Sequence, residues 1–471
     1  MTGRGRRRSA GQADLRLDPT RRRGEPIEIE VTGGVRILAA NDLDAMASWV
    51  MFEQEDWYEL EHGWLRRLVQ PGWRVLDTVP GCGILSATLA RRIGPSGAVL
   101  ACDPLPAGHA RLQAIRAGNR LDPLIPLLAQ IASPEEIGVA PPATTLDRLA
   151  ADHGPFELVR LGPDPLAMLA GGRQLLESSR PTLVLPIGPA NGGSVGEAGL
   201  LLREHGYALH HLLPGFAAVA PLDAGFLDDF TSNLIACPLE RQAGLAERGL
   251  LAHAEELALA ELDVPPLPGP LPPGWPDLAR RVEAGLAAGL PLPARIVWTG
   301  RLVRTWLGGL RDFVDLMDHP ARLTTLAALL AAAGARGAAL EAMRPLLHLL
   351  QEGQLRLDEP FLPILPWADQ AGEADGPVWW KLATAADGPE ATELGLIHAT
   401  ARLVAHSGFH GGAFLYPWLT RYRHSNAFTP ELERRRQLFA RRLGEAGSFE
   451  PSPAMLRSRN ARFAQPPRQA A

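Results

Sequence analysis

The residues best placed to do chemistry stand at the ends of short apolar runs in the first half of the chain. Asp77 ends one run and precedes a turn that carries Gly81 and Gly83, and Asp103 ends the next run. Glycines let a backbone approach a ligand closely, and the helix after the turn offers free N–H groups. An acid at a strand tip can accept both hydroxyls of a ribose. The pattern indicates a nucleotide-binding site, although such a turn also occurs without a ligand.

The elements that position these residues are short strands alternating with helices. Strands are predicted at 74–77, 98–102, 124–129, 156–161, 181–186, 207–213 and 233–238, and helices at 84–93, 109–118, from 144, 166–176 and 199–205. This alternation predicts an α/β fold with a doubly wound, mostly parallel, Rossmann-like sheet. Ahead of it, the pattern predicts a hairpin at 27–38 and one helix from Trp49 to Leu68.

The second half of the chain has a different character. A Pro-rich run, VPPLPGPLPPGWP at 264–276, is typical of a semi-rigid linker. Helical periods follow, and the pair at 323–333 and 338–350 has about the length of one tetratricopeptide-type repeat. The chain is therefore predicted to end in a helical domain, which is a candidate surface for a protein partner. The basic tail at 1–24 and the polar tail at 446–471 are predicted to be disordered or flexible.

Composition narrows the class of protein. Of 471 residues, 46% are apolar and 21% charged, and the net charge is −5, which is typical of a soluble globular protein rather than a nucleic-acid binder. No apolar run reaches the ~18 residues of a membrane span, and no signal peptide is apparent. Three cysteines without metal spacing suggest reduced thiols in a cytoplasm. The Ala-, Gly-, Pro- and Arg-rich composition is typical of a GC-rich bacterial genome.

The order of these pieces resembles the FkbM family of S-adenosylmethionine (SAM)-dependent methyltransferases. The shared segments are Phe52 to Glu59, Pro71-Gly72, Val75 to Asp77, Gly94 to Gly97, Asp103-Pro104, Thr145 to Asp147, Leu158 to Leu161, Leu169 to Gly172, His205 to Tyr207, Leu213 to Gly215 and Asn233 to Cys237. The resemblance implies a class I methyltransferase fold over 25–255, followed by a linker at 256–276 and a helical domain at 277–445.

The resemblance also implies a cofactor, a reaction and the residues that serve them. SAM is the expected cofactor, with Asp103 on its ribose and Asp77, Gly81 and Gly83 shaping its loop. The expected reaction is methyl transfer to a hydroxyl of a sugar, lipid or secondary-metabolite-like acceptor. Arg160, near the end of the fourth strand, and Asp164, just after it, are then expected to face the acceptor: Arg160 orients its oxygen and Asp164 is the carboxylate for its proton.

Several positions depart from the family pattern. Val79 replaces the first loop glycine, Gly162 replaces an acid after the fourth strand, and Pro186 stands where the family often has Glu. These departures favour a second hypothesis, a degenerate methyltransferase that binds a ligand or partner without turnover. A third hypothesis is a scaffold whose helical domain is the functional part. No metal site is expected, because His406, His410, His424 and Glu393 have no standard ligand spacing.

Overall fold

The computed structural model describes residues 15–18, 20–136, 142–187, 192–222, 231–263, 291–309, 319–357, 361–362, 393, 396–397, 411–425, 428 and 430–443. The strands are β1 Pro26–Val31, β2 Val35–Ala40, β3 Arg74–Asp77, β4 Ala98–Asp103, β5 Leu124–Leu128, β6 Gln130–Ile131, β7 Ala143–Thr144, β8 Leu158–Arg160, β9 Thr182–Pro186, β10 Tyr207–Leu213, β11 Ala218–Pro221 and β12 Asn233–Pro238. Of the predicted linker at 256–276, residues 256–263 belong to the helix Ala254–Asp263, and 264–276 lies outside the described residues, as do 1–14 and 444–471.

The helices of the first half are α1 Met46–Gln54, α2 Glu61–Leu68, α3 Ile84–Ile93, α4 Pro106–Asn119, α5 Leu146–His153, α6 Pro165–Ala170, α7 Arg173–Ser178, α8 Gly192–Glu204, α9 Gln242–Glu247 and α10 Ala254–Asp263. Those of the second half are α11 Leu292–Gly309, α12 Pro320–Ala332, α13 Arg336–Gln351, α14 Gly411–Arg421 and α15 Pro430–Arg442.

Eight strands form one sheet, in the order β11-β10-β12-β9-β8-β3-β4-β5. The five strands β3, β4, β5, β8 and β9 are parallel, and β10, β11 and β12 add antiparallel pairs at one end. The chain runs outward from β3 to β5 and then returns to β8 on the other side of β3. The predicted Rossmann-like α/β fold is thereby confirmed, with its switch point between β3 and β8.

Burial explains why these short apolar runs become strands. All six residues of β4 are buried, as expected for a parallel strand covered on both faces. One face packs with the β1–β2 hairpin, α1, α2, α3 and α4, and the other with α5, α7 and α8. The tips of β3, β4 and β8 are thus held by packing on two sides, which fixes the residues that follow them.

Two helices predicted as continuous are broken. The segment from Trp49 to Leu68 forms α1 and α2 with an irregular stretch between them, which begins at Glu55 in the left-handed region, with φ of 54°. The segment 166–176 is split into α6 and α7 at Gly171 and Gly172. A Cβ on Gly172 would lie 2.9 Å from Leu146 Cδ1, so a close approach to α5 requires glycine there. Periodicity detects the apolar face but not these interruptions.

The helical second half packs against the first. Leu60 borders the core formed by α12 and α13, while Leu292 and Ile296 of α11 pack on the β10–β11 hairpin. Helix α15 contributes Leu438 and Phe439 to the core beneath the β1–β2 hairpin. The turn at Gly334, with φ of 88°, separates α12 and α13 as predicted.

The end of the predicted disordered N-terminal tail is ordered. Leu17 is buried in the same core as the β1–β2 hairpin, and Arg441 of α15 donates to its carbonyl at 2.9 Å. The buried Asn41 side chain also accepts from the Asp18 backbone N–H at 2.7 Å. The arginine-rich composition conceals two apolar residues, Leu15 and Leu17, that pack in this core, so residues 15–18 do not follow the prediction of disorder.

Candidate functional site

Asp77 shapes the glycine turn from within. Its carboxylate is buried, and Oδ2 accepts from Ser86 Oγ at 2.6 Å while Oδ1 accepts from the Val79 backbone N–H at 3.2 Å. Gly81 and Gly83 both have positive φ, 53° and 85°. The buried acid therefore ties the tip of β3 to the first turn of α3, and the glycines allow the chain to reverse between them.

The two glycines have different surroundings. A Cβ on Gly83 would lie 2.9 Å from Ile115 Cδ1, so Gly83 lets α3 begin against α4. A Cβ on Gly81 would meet no described atom closer than the Val79 carbonyl oxygen at 4.0 Å. Gly81 therefore leaves space at the loop, whereas Gly83 serves the packing beneath it.

Asp103 stands at the tip of β4, the strand next to β3, as the sequence predicts. Its Oδ1 accepts from the Leu105 backbone N–H at 2.9 Å. Its Oδ2 is packed against the first turn of α4 so closely that a Cβ on Gly108 would lie 1.9 Å from it. Asp103 as a whole is 9% exposed, so it supports the start of α4 and presents only a small surface to a ligand.

Arg160 reaches from the tip of β8 to the glycine turn. Its Nη1 donates to the Val79 carbonyl at 2.9 Å and lies 3.7 Å from Asp77 Oδ1. Its Nη2 donates to Glu59 Oε2 at 2.8 Å. Burial opposes its charge, but Glu59 and Asp77 outweigh burial and raise the pKa of Arg160. The guanidinium thus joins the loop to the segment between α1 and α2.

Glu59 is a site residue that sequence reasoning missed. In the sequence it stands only at the end of the shared segment Phe52 to Glu59, yet its carboxylate lies 2.8 Å from Arg160 Nη2 and 3.3 Å from His62 Nε2. Burial opposes ionisation, but His62 and the Arg160 guanidinium outweigh it and lower the pKa of Glu59 to about 2. Glu59 is therefore ionised at neutral pH and forms a partly buried ion pair with Arg160.

Asp164 lies at the surface, four residues after Arg160. It is exposed and caps α6, with Oδ1 accepting from the Ala167 backbone N–H at 3.2 Å. Between Arg160 and Asp164, a Cβ on Gly162 would lie 2.6 Å from Met168 Cε. The Met168 side chain thus occupies the space into which an acid at position 162 would project.

Comparison with solved structures finds methyltransferases of low identity. A putative rRNA methylase from Clostridium thermocellum is 15% identical, with 37% of this chain and 91% of that one covered and a TM-score of 0.28. A SAM-dependent O-methyltransferase from Thermotoga maritima is 16% identical, with 45% and 77% covered and a TM-score of 0.28. Aeropyrum pernix fibrillarin with bound SAM is 13% identical, with 48% and 87% covered and a TM-score of 0.27. No family model and no curated protein matches the chain.

Glu61 is a second residue that the sequence analysis overlooked. In α2 it occupies the same helical face as the buried Trp64, Leu65 and Leu68, a face otherwise apolar. Burial and the neighbouring Glu59 raise its pKa to about 7, against the opposing effects of Arg336 and Asn233. An acid on an apolar helical stripe was a visible signal in the sequence, because such positions are rarely charged without a reason.

Among the residues that the structure describes, no group of three or more His, Cys, Asp or Glu side chains could hold a metal ion. His406 and His410 lie outside the described part of the chain. Within that part, no helix is both long enough and apolar enough to cross a membrane.

Proposed function

We propose that the chain is a SAM-dependent O-methyltransferase of the FkbM type that acts on a hydroxyl of a sugar, lipid or secondary-metabolite-like acceptor. The observation that carries the proposal is the meeting of a glycine turn and two strand-tip acids, Asp77 and Asp103, beside the switch point of a doubly wound sheet. Ligands of such sheets bind outside the carboxyl ends of the strands at this point. The cysteine usage further supports a cytoplasmic protein.

In this proposal the cofactor lies along the glycine turn. Asp103 would hold the ribose with the exposed part of its carboxylate, and Gly81 leaves room for the ligand at the loop. SAM supplies an electrophilic methyl group, and the transfer then depends mainly on positioning. Arg160 and Asp164 would border the acceptor, with Arg160 close to the loop and Asp164 at its rim.

A second candidate is a degenerate methyltransferase that binds a ligand or partner without turnover. The observation that favours it is the Arg160 guanidinium, which already bridges Glu59 and the Val79 carbonyl. An ion pair that is largely shielded from solvent, with both side chains 12% exposed, is costly to separate. In this alternative the fold serves binding, and the helical second half carries the contact with a partner.

Calorimetry with SAM tests the proposal on the full chain. We expect binding by the wild type and loss of binding in Asp103→Ala, because the ribose loses its acceptor. Asp152→Ala, which removes an exposed acid from the surface pair with Arg148, is the matched control and should bind normally. Unchanged affinity in Asp103→Ala would place the ribose elsewhere. SAM binding without transfer to any acceptor would favour the degenerate protein.

A further inference from the structure

A small pocket lies where the helical second half meets the edge of the sheet, and we call it the junction pocket. Its lining comes from α2, β10, the turn after β10, the segment before β12 and the α12–α13 turn: Leu60, Glu61, His211, Leu212, Pro214, Thr231, Gly334 and Arg336. It has room for about one water molecule. A single functional group of a larger ligand can enter it, while the rest of the ligand stays outside.

The junction pocket stands at the ligand-binding edge of the sheet. Strand β12 begins at Asn233, which pairs with Pro186 at the carboxyl end of β9. Because β10 is antiparallel to β12, its carboxyl end points to the same edge. Glu61 is close enough to Arg160 for its charge to raise the pKa of that guanidinium. The pocket and the glycine turn therefore lie on the same edge of the sheet, with β12, β9 and β8 between the tips of β10 and β3.

Two buried polar groups face each other beside the pocket. Glu61 is 6% exposed and Asn233 is 3% exposed. The Asn233 amide favours the ionised form of Glu61, yet its Nδ2 makes no hydrogen bond of good geometry with any described residue. A buried amide nitrogen without such a bond calls for a polar ligand or a water molecule.

The charges around the pocket limit what can enter. Glu61, His211 and Arg336 line it from α2, β10 and α13, and Glu59 is close enough to Glu61 for its charge to raise the pKa of Glu61. An anion would meet the glutamates and a cation would meet Arg336. A neutral hydroxyl can donate to a carboxylate and accept from an amide or guanidinium, and Leu60, Leu212 and Pro214 suit the C–H face of a sugar.

We propose that the junction pocket receives one hydroxyl of a neutral, carbohydrate-like acceptor and that Glu61 accepts its proton. This proposal rests on the proposed function. The O–H bond breaks as its proton passes to the Glu61 carboxylate, and the oxygen forms a bond to the methyl carbon. The bond from that carbon to sulfur breaks and its electrons return to sulfur, leaving S-adenosylhomocysteine. The helical second half then supplies one wall of the acceptor site.

The environment of Glu61 supports this role. Burial and Glu59 raise its pKa to about 7, where a carboxylate can accept a proton at neutral pH and release it again. Asp164, by comparison, is exposed and already caps a helix. Glu61 is thus the more suitably placed carboxylate for proton transfer.

The first experiment measures occupancy without turnover. Saturation-transfer NMR with methyl α-D-glucopyranoside is recorded on the full chain in the presence of S-adenosylhomocysteine. We expect saturation transfer in the wild type and at least a fivefold loss in Thr231→Tyr, which fills the pocket, with circular dichroism verifying its fold. Absence of transfer in the wild type overturns the carbohydrate class, and undiminished transfer in a folded Thr231→Tyr overturns the pocket.

The second experiment measures chemistry with radiolabelled SAM and the same sugar. Glu61→Gln should lower kcat by about 100-fold or more while leaving SAM affinity unchanged, and should abolish a rise in rate with a midpoint near pH 7. Glu177→Gln, an exposed acid paired with Arg173, is the control. Full activity of Glu61→Gln overturns its role. Failure of SAM to bind defeats the proposed function instead, while the NMR result still reports on the pocket.

Discussion

At the scale of single residues, Glu61 predicts how stability depends on pH. Its pKa is about 7 in the folded chain, against an ordinary value of 4.5, so the folded state binds this proton more tightly than the unfolded state. The contribution of Glu61 to the free energy of unfolding is most favourable below about pH 4.5, falls as pH rises towards 7, and is constant above 7. Between pH 4.5 and 7 the free energy of unfolding of the wild type should therefore fall, relative to that of Glu61→Gln, by on the order of a few kcal/mol.

Chemical denaturation at several pH values measures this difference. Glu177→Gln provides the comparison, because that carboxylate is exposed. Parallel curves for the wild type and Glu61→Gln between pH 4.5 and 7 would show that Glu61 does not hold its proton in the fold.

Asp164 caps α6, and two substitutions distinguish this structural role from a role in proton transfer. Asn caps a helix about as well as Asp, whereas Ala costs about 1 kcal/mol. We expect Asp164→Asn to keep the thermal stability and SAM affinity of the wild type and to lower kcat/KM less than about tenfold, because a solvated rim carboxylate contributes little. Asp164→Ala should unfold at lower temperature. A loss in Asp164→Asn as large as in Glu61→Gln would restore Asp164 as the proton acceptor.

The sequence predicts the location of a site residue only where that residue ends a strand, since its position along the strand then determines its position at the edge of the sheet. Asp77 and Asp103 were located correctly at strand tips, because parallel strands end at a common edge. Glu59 and Arg160 are 101 positions apart in the chain, and their ion pair depends on how the segment between α1 and α2 folds over the loop. No local pattern encodes such a contact, so it became visible only in the structure.

At the scale of elements, the contact between β4 and α4 makes Gly108 necessary. A methyl group there would collide with the Asp103 carboxylate, which cannot move without losing its bond to the Leu105 N–H. Gly108→Ala should therefore lower the midpoint of thermal unfolding and weaken SAM binding. Gly63→Ala in α2 is the matched control, because a Cβ at that position meets no described atom within 4 Å and alanine favours a helix. Equal stability of the two variants would show that α4 tolerates displacement of Asp103.

Strands and helices can be predicted from the sequence where apolar residues mark the face that each of them buries. The run Arg74 to Asp77 was placed with correct bounds, because four residues bounded by turns leave little choice of register. The break between α1 and α2 was not, because Trp57 and Leu60 continue the helical period across it. What interrupts the helix is the left-handed Glu55, whose backbone carbonyl accepts from the Thr32 N–H at 2.7 Å. That bond to the β1–β2 hairpin is a tertiary effect.

At the scale of the whole molecule, the two halves of the chain contribute to one hydrophobic core. Helix α15 lies against α1: Arg434 donates to the Glu53 carbonyl at 3.0 Å, and Arg435 pairs with the Glu53 carboxylate at 2.6 Å. Phe439 contacts Trp49 with ring centroids 4.7 Å apart. We propose that residues 277–445 form a helical domain. Part of the hydrophobic core of this domain is supplied by the first half of the chain.

Limited proteolysis separates this arrangement from two independent domains. The Pro-rich run at 264–276 should be cleaved first, because proline-rich segments form no hydrogen-bonded ladder that would protect them. The buried Arg435, which pairs with the Glu53 carboxylate, and apolar residues shared with α1 should nevertheless hold the fragments together after cleavage. We therefore expect a nicked protein that elutes as one species in gel filtration at neutral pH and moderate salt.

The double variant Glu53→Gln with Leu438→Ala should weaken the association of the two fragments, whereas Glu341→Gln, at an exposed pair on α13, should leave it intact. Fragments of the nicked wild type that elute separately would show that each half folds alone and that α15 contributes little to the core.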